Sequence, residues 1–193
     1  MRKILFLLAF LPLFLYGQKR ESVYFENPIF KGEYSEVLEQ PLWIEYVVLC
    51  PDGSASRKGM DFYTNDSIYT SDNKDYANNV YDKGHLAPAA DFNCDREMLY
   101  STFTYLNCAL QNQYLNRRTW RLLEAHEREL SATGNVSVRI EVEFARNCDV
   151  LPTGATVPTG FYKYITYNGT TVIYYFKNER PETSDYTKYV ITR

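Results

Sequence analysis

The sequence predicts an α+β fold with a mostly antiparallel central sheet and few helices. Three observations carry this expectation. Asn168-Gly169 separates two runs of aromatic and β-branched residues, 161–167 and 171–176, which is the pattern of a two-residue hairpin. Residues 135–144 alternate apolar and polar through Val136, Val138, Ile140, Val142 and Phe144, as a strand buried on one side does. Only residues 115–130 carry a long helical pattern, with Leu115, Leu122, Leu123 and Leu130 as its apolar stripe. Strands grouped apart from a few helices point to an antiparallel sheet with helices to one side, not to alternating βαβ units.

In chain order, residues 18–40 read as a polar entry arm with scattered aromatics. Residues 42–49 are rich in aromatic and branched side chains, a strong strand that Pro51-Asp52-Gly53-Ser54 closes with turn residues. From Arg57 to Asn79 the chain is polar loop, with one short strand expected near 67–69. Val80-Tyr81 begins a strand-like approach to Gly84-His85. Pro88 then disfavours helix in the residue before it. A short helix over 95–98, capped by Asp91 or Asn93, and a strand over 102–107 come next.

Composition bounds the setting. Met1-Arg2-Lys3 followed by thirteen apolar residues and Gly17-Gln18 has the form of a cleaved signal peptide, too short to span a bilayer comfortably. Its removal leaves residues 18–193 as a single domain of about 175 residues, secreted or periplasmic, with no membrane anchor. The net charge of −3 becomes −5 when Arg2 and Lys3 are lost. A nucleic-acid site on such a body must therefore be a local basic patch. Four cysteines in an oxidising compartment allow two disulfides in three connectivities. The preferred pairing is Cys50–Cys148 with Cys94–Cys108. Zinc is not expected, because no Cys-x-x-Cys pair occurs.

The chemistry gathers in two segments. The first, Tyr81 to Asp91, holds His85, one of only two histidines. The second runs from Asn107 through Gln111 to Asn116, Trp120, Glu124 and Arg128. Residues 116, 120 and 124 recur at four-residue spacing and share one side of a helix. A helix that opens with an amide and continues with a carboxylate and an arginine can hold a hydrated divalent cation. Each part alone has a plainer reading: a structural histidine, an amide near a helix start, a solvated Glu–Arg pair.

Taken together, Asp82-Lys83-Gly84-His85 with Pro88 and Asp91, then Asn107, Gln111, Leu115-Asn116, Trp120 and Leu123-Glu124, closely resemble the DNA/RNA non-specific endonucleases. These are the ββα-metal, or His-Me finger, nucleases, whose pattern is Asp-Arg-Gly-His-x-x-Pro-x-x-Asp followed by Asn-x-x-Pro-Gln, Leu-Asn, Trp and Leu-Glu. Weaker similarity extends over residues 41–46, Arg57 to Phe62, and 157–163. Lys83 stands where the family has arginine, and Leu110 where it has proline. Lysine keeps the charge but loses the bidentate fork.

The resemblance implies a ββα-metal finger and hydrolysis of DNA and RNA, contacted through the phosphate backbone. It makes His85 the general base and Asn116 the protein ligand of Mg²⁺, with Mn²⁺ a possible substitute. Glu124 would hold the ion's waters, Arg57 and Arg128 would neutralise phosphate, and Asn107 would position the finger. Lys83 and Arg121 are candidate substrate contacts, and Arg117 and Arg118 extend a basic track. Asp82 and Asp91 would hold the loop. Other readings are a site-specific HNH-type enzyme, an inactive secreted relative that binds nucleic acid or a protein partner, and an unrelated disulfide-stapled binding module such as a lectin. The joint presence of His85, Asn116 and Glu124 weighs against the inactive relative. Strand preference, oligomeric state and biological role stay open.

Overall fold

A computed structural model of the chain describes residues 19–50 and 52–191; the expected leader, residues 1–17, lies outside them. A seven-stranded antiparallel sheet forms the frame. In spatial order its strands are β1 (Val23–Glu26), β2 (Phe30–Ser35), β3 (Gln40–Val47), β6 (Val136–Glu143), β7 (Gly160–Tyr167), β8 (Thr170–Lys177) and β9 (Val190–Ile191). A separate antiparallel pair, β4 (Tyr81–His85) and β5 (Cys108–Asn112), makes a two-stranded finger. Among the described residues two α-helices, α1 (Arg96–Ser101) and α2 (Arg121–Ser131), join the strands with a few short 3₁₀ turns, and a π-helical turn, Leu115–Trp120, leads into α2. The architecture is the expected α+β one.

Alternation places Ile44 and Tyr46 of β3, Val138 and Ile140 of β6, and Phe161 and Ile165 of β7 on one face of the sheet. Trp120 and Leu123 pack onto that face, with Trp120 edge-on to Phe161 at 5.6 Å and to Phe176 at 5.7 Å. Aromatic anchors of this size are worth about 3–5 kcal/mol each when truncated. Asn168 and Gly169 turn β7 into β8 with φ of 50° and 75°, as the sequence requires of a tight hairpin.

Several local expectations are corrected. The entry arm is not irregular: β1 and β2 pair within it. No strand forms at 67–69, because the Asn65 side chain accepts from the backbone of Ser67 and Ile68 and turns the chain. The strand expected at 102–107 starts at Cys108. Thr104 caps a 3₁₀ turn over Tyr105–Asn107 instead. Helix α1 is capped by Asp95, whose carboxylate accepts from Met98 N at 2.8 Å. Leu122 is exposed, and Trp120 and Glu127 take buried places on the helix.

The disulfide pairing is corrected too. Cys50 joins Cys94, while Cys108 and Cys148 are free thiols. Cys50 N donates to Asp91 O, Ala55 N to Asn93 O, and Asn93 Nδ2 to Gly53 O. This lattice lays segment 50–55 beside 91–94 and brings the two Cα atoms to 5.4 Å, within bonding range. Cys108 is instead committed to the finger. Among the described residues no helix is long and apolar enough to cross a membrane.

Candidate active site

The finger is held in register by its glycine. Gly84 faces Ala109, and a Cβ on it would lie 2.6 Å from the Cβ and Oε1 of Gln111. Only a residue without a side chain lets β5 approach that closely. His85 follows, paired opposite Cys108. Beyond it, Leu86 N donates to Asn107 O at 3.0 Å. Asn107 is fully buried and spends its amide on the backbone. It accepts from Ala87 N at 2.7 Å and donates to Ala87 O at 2.9 Å and Thr102 O at 3.0 Å. Asn107 is thus the fastener of the turn that aims His85.

The His85 ring lies 4.7 Å from Phe62 and edge-on to Phe103 at 4.9 Å. Its Nε2 is buried with no hydrogen-bond partner among the described residues. Burial, and then the Arg57 guanidinium, push its pKa down to about 3. The ring is a neutral imidazole with one uncommitted nitrogen. Arg57 itself is exposed and, with Ala89, Ala90 and Asn93, lines a cavity of about 240 Å³.

Asp82, three residues before His85, organises the amide expected to meet a metal. Its Oδ2 accepts from Asn116 Nδ2 at 2.9 Å, and Arg117 grips both its oxygens at 2.8 and 2.6 Å. Tying down the amide nitrogen leaves Asn116 Oδ1, an acceptor with two lone pairs, without a protein donor among the described residues.

Behind this face lies a buried cluster of charge. Lys163 Nζ meets Glu127 Oε1 at 2.5 Å with both side chains fully buried, and Tyr46 OH donates to Glu127 Oε2 at 2.7 Å. Lys163 Nζ also sits 4.4 Å over the Trp120 ring. Arg128 Nη1 donates to the buried Asp91 Oδ1 at 2.9 Å. Burial raises Glu124 to about 8, with Lys163 and Arg128 opposing the shift and Glu127 and Asp91 adding to it. Asp91 is raised to about 7, chiefly by burial and then by Glu127, against Arg128 and Lys163.

These carboxyls make stability depend on pH. A folded pKa above the unfolded one favours folding at low pH, and the benefit is lost as pH rises through the folded value. For Glu124 the window runs from about 4.5 to about 8. Glu124→Gln is therefore expected to stabilise the protein more at pH 8 than at pH 5, by on the order of 2 kcal/mol. Urea unfolding at the two pH values measures this, and an equal effect at both would contradict the buried, protonated state.

The fold thus places His85 on the finger with Asn107 just before β5 fixing its following turn, ties Asn116 to the finger through Asp82, and sets Glu124 and Arg128 one turn apart on α2. Lys83 is engaged elsewhere: its Nζ bonds Asp61 at 3.0 Å and also Asn73, beside the rings of Phe62 and Tyr105. Arg121 is exposed, its Nε donating to Arg117 O at 3.2 Å. Sequence reasoning missed Glu127 as the partner of Lys163, Tyr46 as the donor to Glu127, and the Phe62–Phe103 wall around His85. A glutamate at a buried helical position, three residues after Glu124, was the available signal. Among the described residues no three His, Cys, Asp or Glu side chains are grouped to hold a metal. A groove of about 620 Å³ opens beside β2, β3 and β6; its lining includes Lys31, Glu45 and Arg139, whose charges pair with one another, and does not include His85.

The family model for DNA/RNA non-specific endonuclease matches residues 16–192. Bovine (Bos taurus) mitochondrial endonuclease G is 34% identical over 84 residues, 42% of this chain and 28% of that protein. The mitochondrial nuclease of Saccharomyces cerevisiae is 28% identical over 155 residues, covering 68% of this chain and 46% of that one. The matched part is thus less than half the length of either relative. A chain from a crystal structure of an EndoG/EndoGI complex superposes with a TM-score of 0.79 over 88% of this chain and 80% of its own, at 24% identity, and shares the fold. The chain belongs to the DNA/RNA non-specific endonuclease family.

Proposed function

We propose that the chain is a metal-dependent endonuclease that hydrolyses phosphodiester bonds of DNA and RNA with little sequence preference. We place its single catalytic domain over residues 18–193, exported behind a cleaved leader. The observation that carries this reading is a single finger strand that holds a neutral, partly exposed His85 ring and, three residues earlier, the Asp82 carboxylate that fixes the Asn116 amide by its nitrogen.

In this reading the accessible edge of the neutral His85 imidazole takes a proton from the attacking water as the water oxygen bonds to phosphorus. The bond from phosphorus to the 3′ oxygen opens on the opposite side, and that oxygen takes a proton from solvent. One product carries a 5′-phosphate and the other a 3′-hydroxyl. Asn116 Oδ1 would hold Mg²⁺, which keeps most of its waters, or Mn²⁺ in its place. A bound divalent cation supplies charge neutralisation at the phosphate and the departing oxygen. The residues fit such an ion, since one oriented amide oxygen and the nearby Glu124 carboxyl are hard oxygen donors. Glu124, neutral without a cation, would ionise beside one and order the ion's waters. Arg57 meets the phosphate, and Arg128, steadied by Asp91, backs it. Contacts to phosphate and sugar rather than base edges account for low sequence preference.

The test is digestion of supercoiled plasmid and total RNA by the mature protein in Mg²⁺, beside an EDTA control and Asn116→Ala. Both substrates are expected to be degraded. EDTA should stop the reaction, and Asn116→Ala should slow it at least about 100-fold. A protein that shifts DNA on a gel but cuts nothing in Mg²⁺ or Mn²⁺ would be an inactive binding relative. One that does neither would sink the nuclease reading.

A further inference from the structure

Tyr114 stands two residues before Asn116 and is 39% exposed, though aromatic. Two guanidinium groups flank its ring, Arg180 at 4.7 Å and Arg118 at 5.9 Å from the centroid. Both arginines are exposed. Among the described residues neither they nor Arg121 meets a carboxylate, although Glu179 and Glu182 lie on the same loop as Arg180. On an acidic body, cations without ion pairs around an open ring are a local feature that packing does not require.

The cluster is also built, not incidental. Asn178 ties the Arg180 loop to β5, donating to Leu110 O at 2.8 Å and Pro158 O at 2.9 Å and accepting from Asn112 N at 2.7 Å. Thr119 fastens the other end through Thr183 O at 3.0 Å. Tyr114 N donates to Asn112 Oδ1 at 3.0 Å. Asn112 lies opposite Tyr81 on the finger, four residues from His85. At about 3.3 Å per residue that separation is roughly 13 Å, a reach of a few nucleotides.

We propose that Tyr114, Arg118 and Arg180 form a subsite that stacks an unpaired base a few nucleotides from the cleaved phosphate, so that single-stranded nucleic acid is the favoured substrate class. The proposal rests on the nuclease reading for the position of the cleaved bond. An aromatic ring and guanidinium planes accept any base face, and the cations also meet flanking phosphates. In a duplex the same base is paired and stacked internally and cannot occupy the ring.

The experiment is fluorescence anisotropy with a labelled twelve-nucleotide single strand and with its duplex, in EDTA so that nothing is cut. Tyr114→Ala is expected to weaken single-strand binding about tenfold and duplex binding by less than about threefold. Tyr114→Trp should retain single-strand affinity. Arg180→Ala should lower the salt dependence of binding by about one ion. Tyr24→Ala, an exposed tyrosine on β1, should change nothing. Unaltered single-strand affinity in Tyr114→Ala, or equal losses for both forms, would overturn the subsite. If wild-type protein binds but does not cut when metal is restored, the nuclease reading fails and the subsite stands. If it binds neither form, both fall.

Discussion

His85→Ala is expected to lower kcat/KM on DNA by about 10²–10⁴-fold, the range for removal of a positioned general base in the proposed mechanism, and to leave the fold intact. The residue's value lies in what the finger does for one nitrogen. Gly84 brings β5 close, Asn107 fixes the following turn, and Phe62 and Phe103 wall in the ring on two sides. With its pKa pushed down to about 3, the free protein keeps His85 neutral through the whole physiological range. The sign follows directly: a lowered pKa carries the unprotonated, active form to lower pH. The acid limb of kcat/KM, which reports the free enzyme, is therefore expected well below the ordinary histidine value of 6.5. A limb centred near 6.5 that disappears in His85→Ala would mean the ring is solvated in solution. Residual activity equal to wild type would remove His85 from the chemistry altogether.

Lys163→Met destabilises the protein by about 3–5 kcal/mol, the usual result of stranding one member of a buried ion pair. Glu127 has no other cation at 2.5 Å and would keep only the Tyr46 hydroxyl. Methionine conserves most of the volume over the Trp120 ring, so the loss reports charge and not a cavity. Replacing both partners, Lys163→Met with Glu127→Leu, is expected to recover most of it, because a matched apolar pair is often as stable as the ion pair. Urea midpoints of the three variants decide the matter. A loss below about 1 kcal/mol in the single variant would show that water reaches Glu127.

Much of this was legible beforehand, for identifiable reasons. The sheet announces itself through period-two alternation in β6 and through Asn168-Gly169, both of which are local signals. His85, Asn116 and Glu124 were singled out because their spacing from glycine, proline and neighbouring amides resembles the family pattern. What could not be read depends on contacts between distant segments. The Cys50–Cys94 link follows from hydrogen bonds between 50–55 and 91–94 that no spacing rule encodes. Lys163 meets Glu127 across the core, from a strand to a helix, and Tyr46 joins from a third element. Strands β1 and β2 were hidden because their exposed faces are polar and β1 sits at the sheet edge. The Arg180 loop acquires a neighbour in Tyr114 only once Asn178 is seen to fold it back onto β5.

The wide π-helical turn over Leu115–Trp120 has a consequence for insertions and deletions. Up to Asn116 the chain keeps phase with the finger, through Asp82; from Trp120 onward it keeps phase with the sheet, through Phe161 and Phe176. An ordinary helix advances about 100° per residue, so one rotational setting cannot serve both surfaces unless a turn takes up the difference. Deleting a single residue there would leave every side chain chemically unchanged. It would nevertheless swing the amide about a quarter-turn from its carboxylate while the indole stayed home. The turn is a vernier between the finger and the sheet, and length, more than composition, is what it cannot vary.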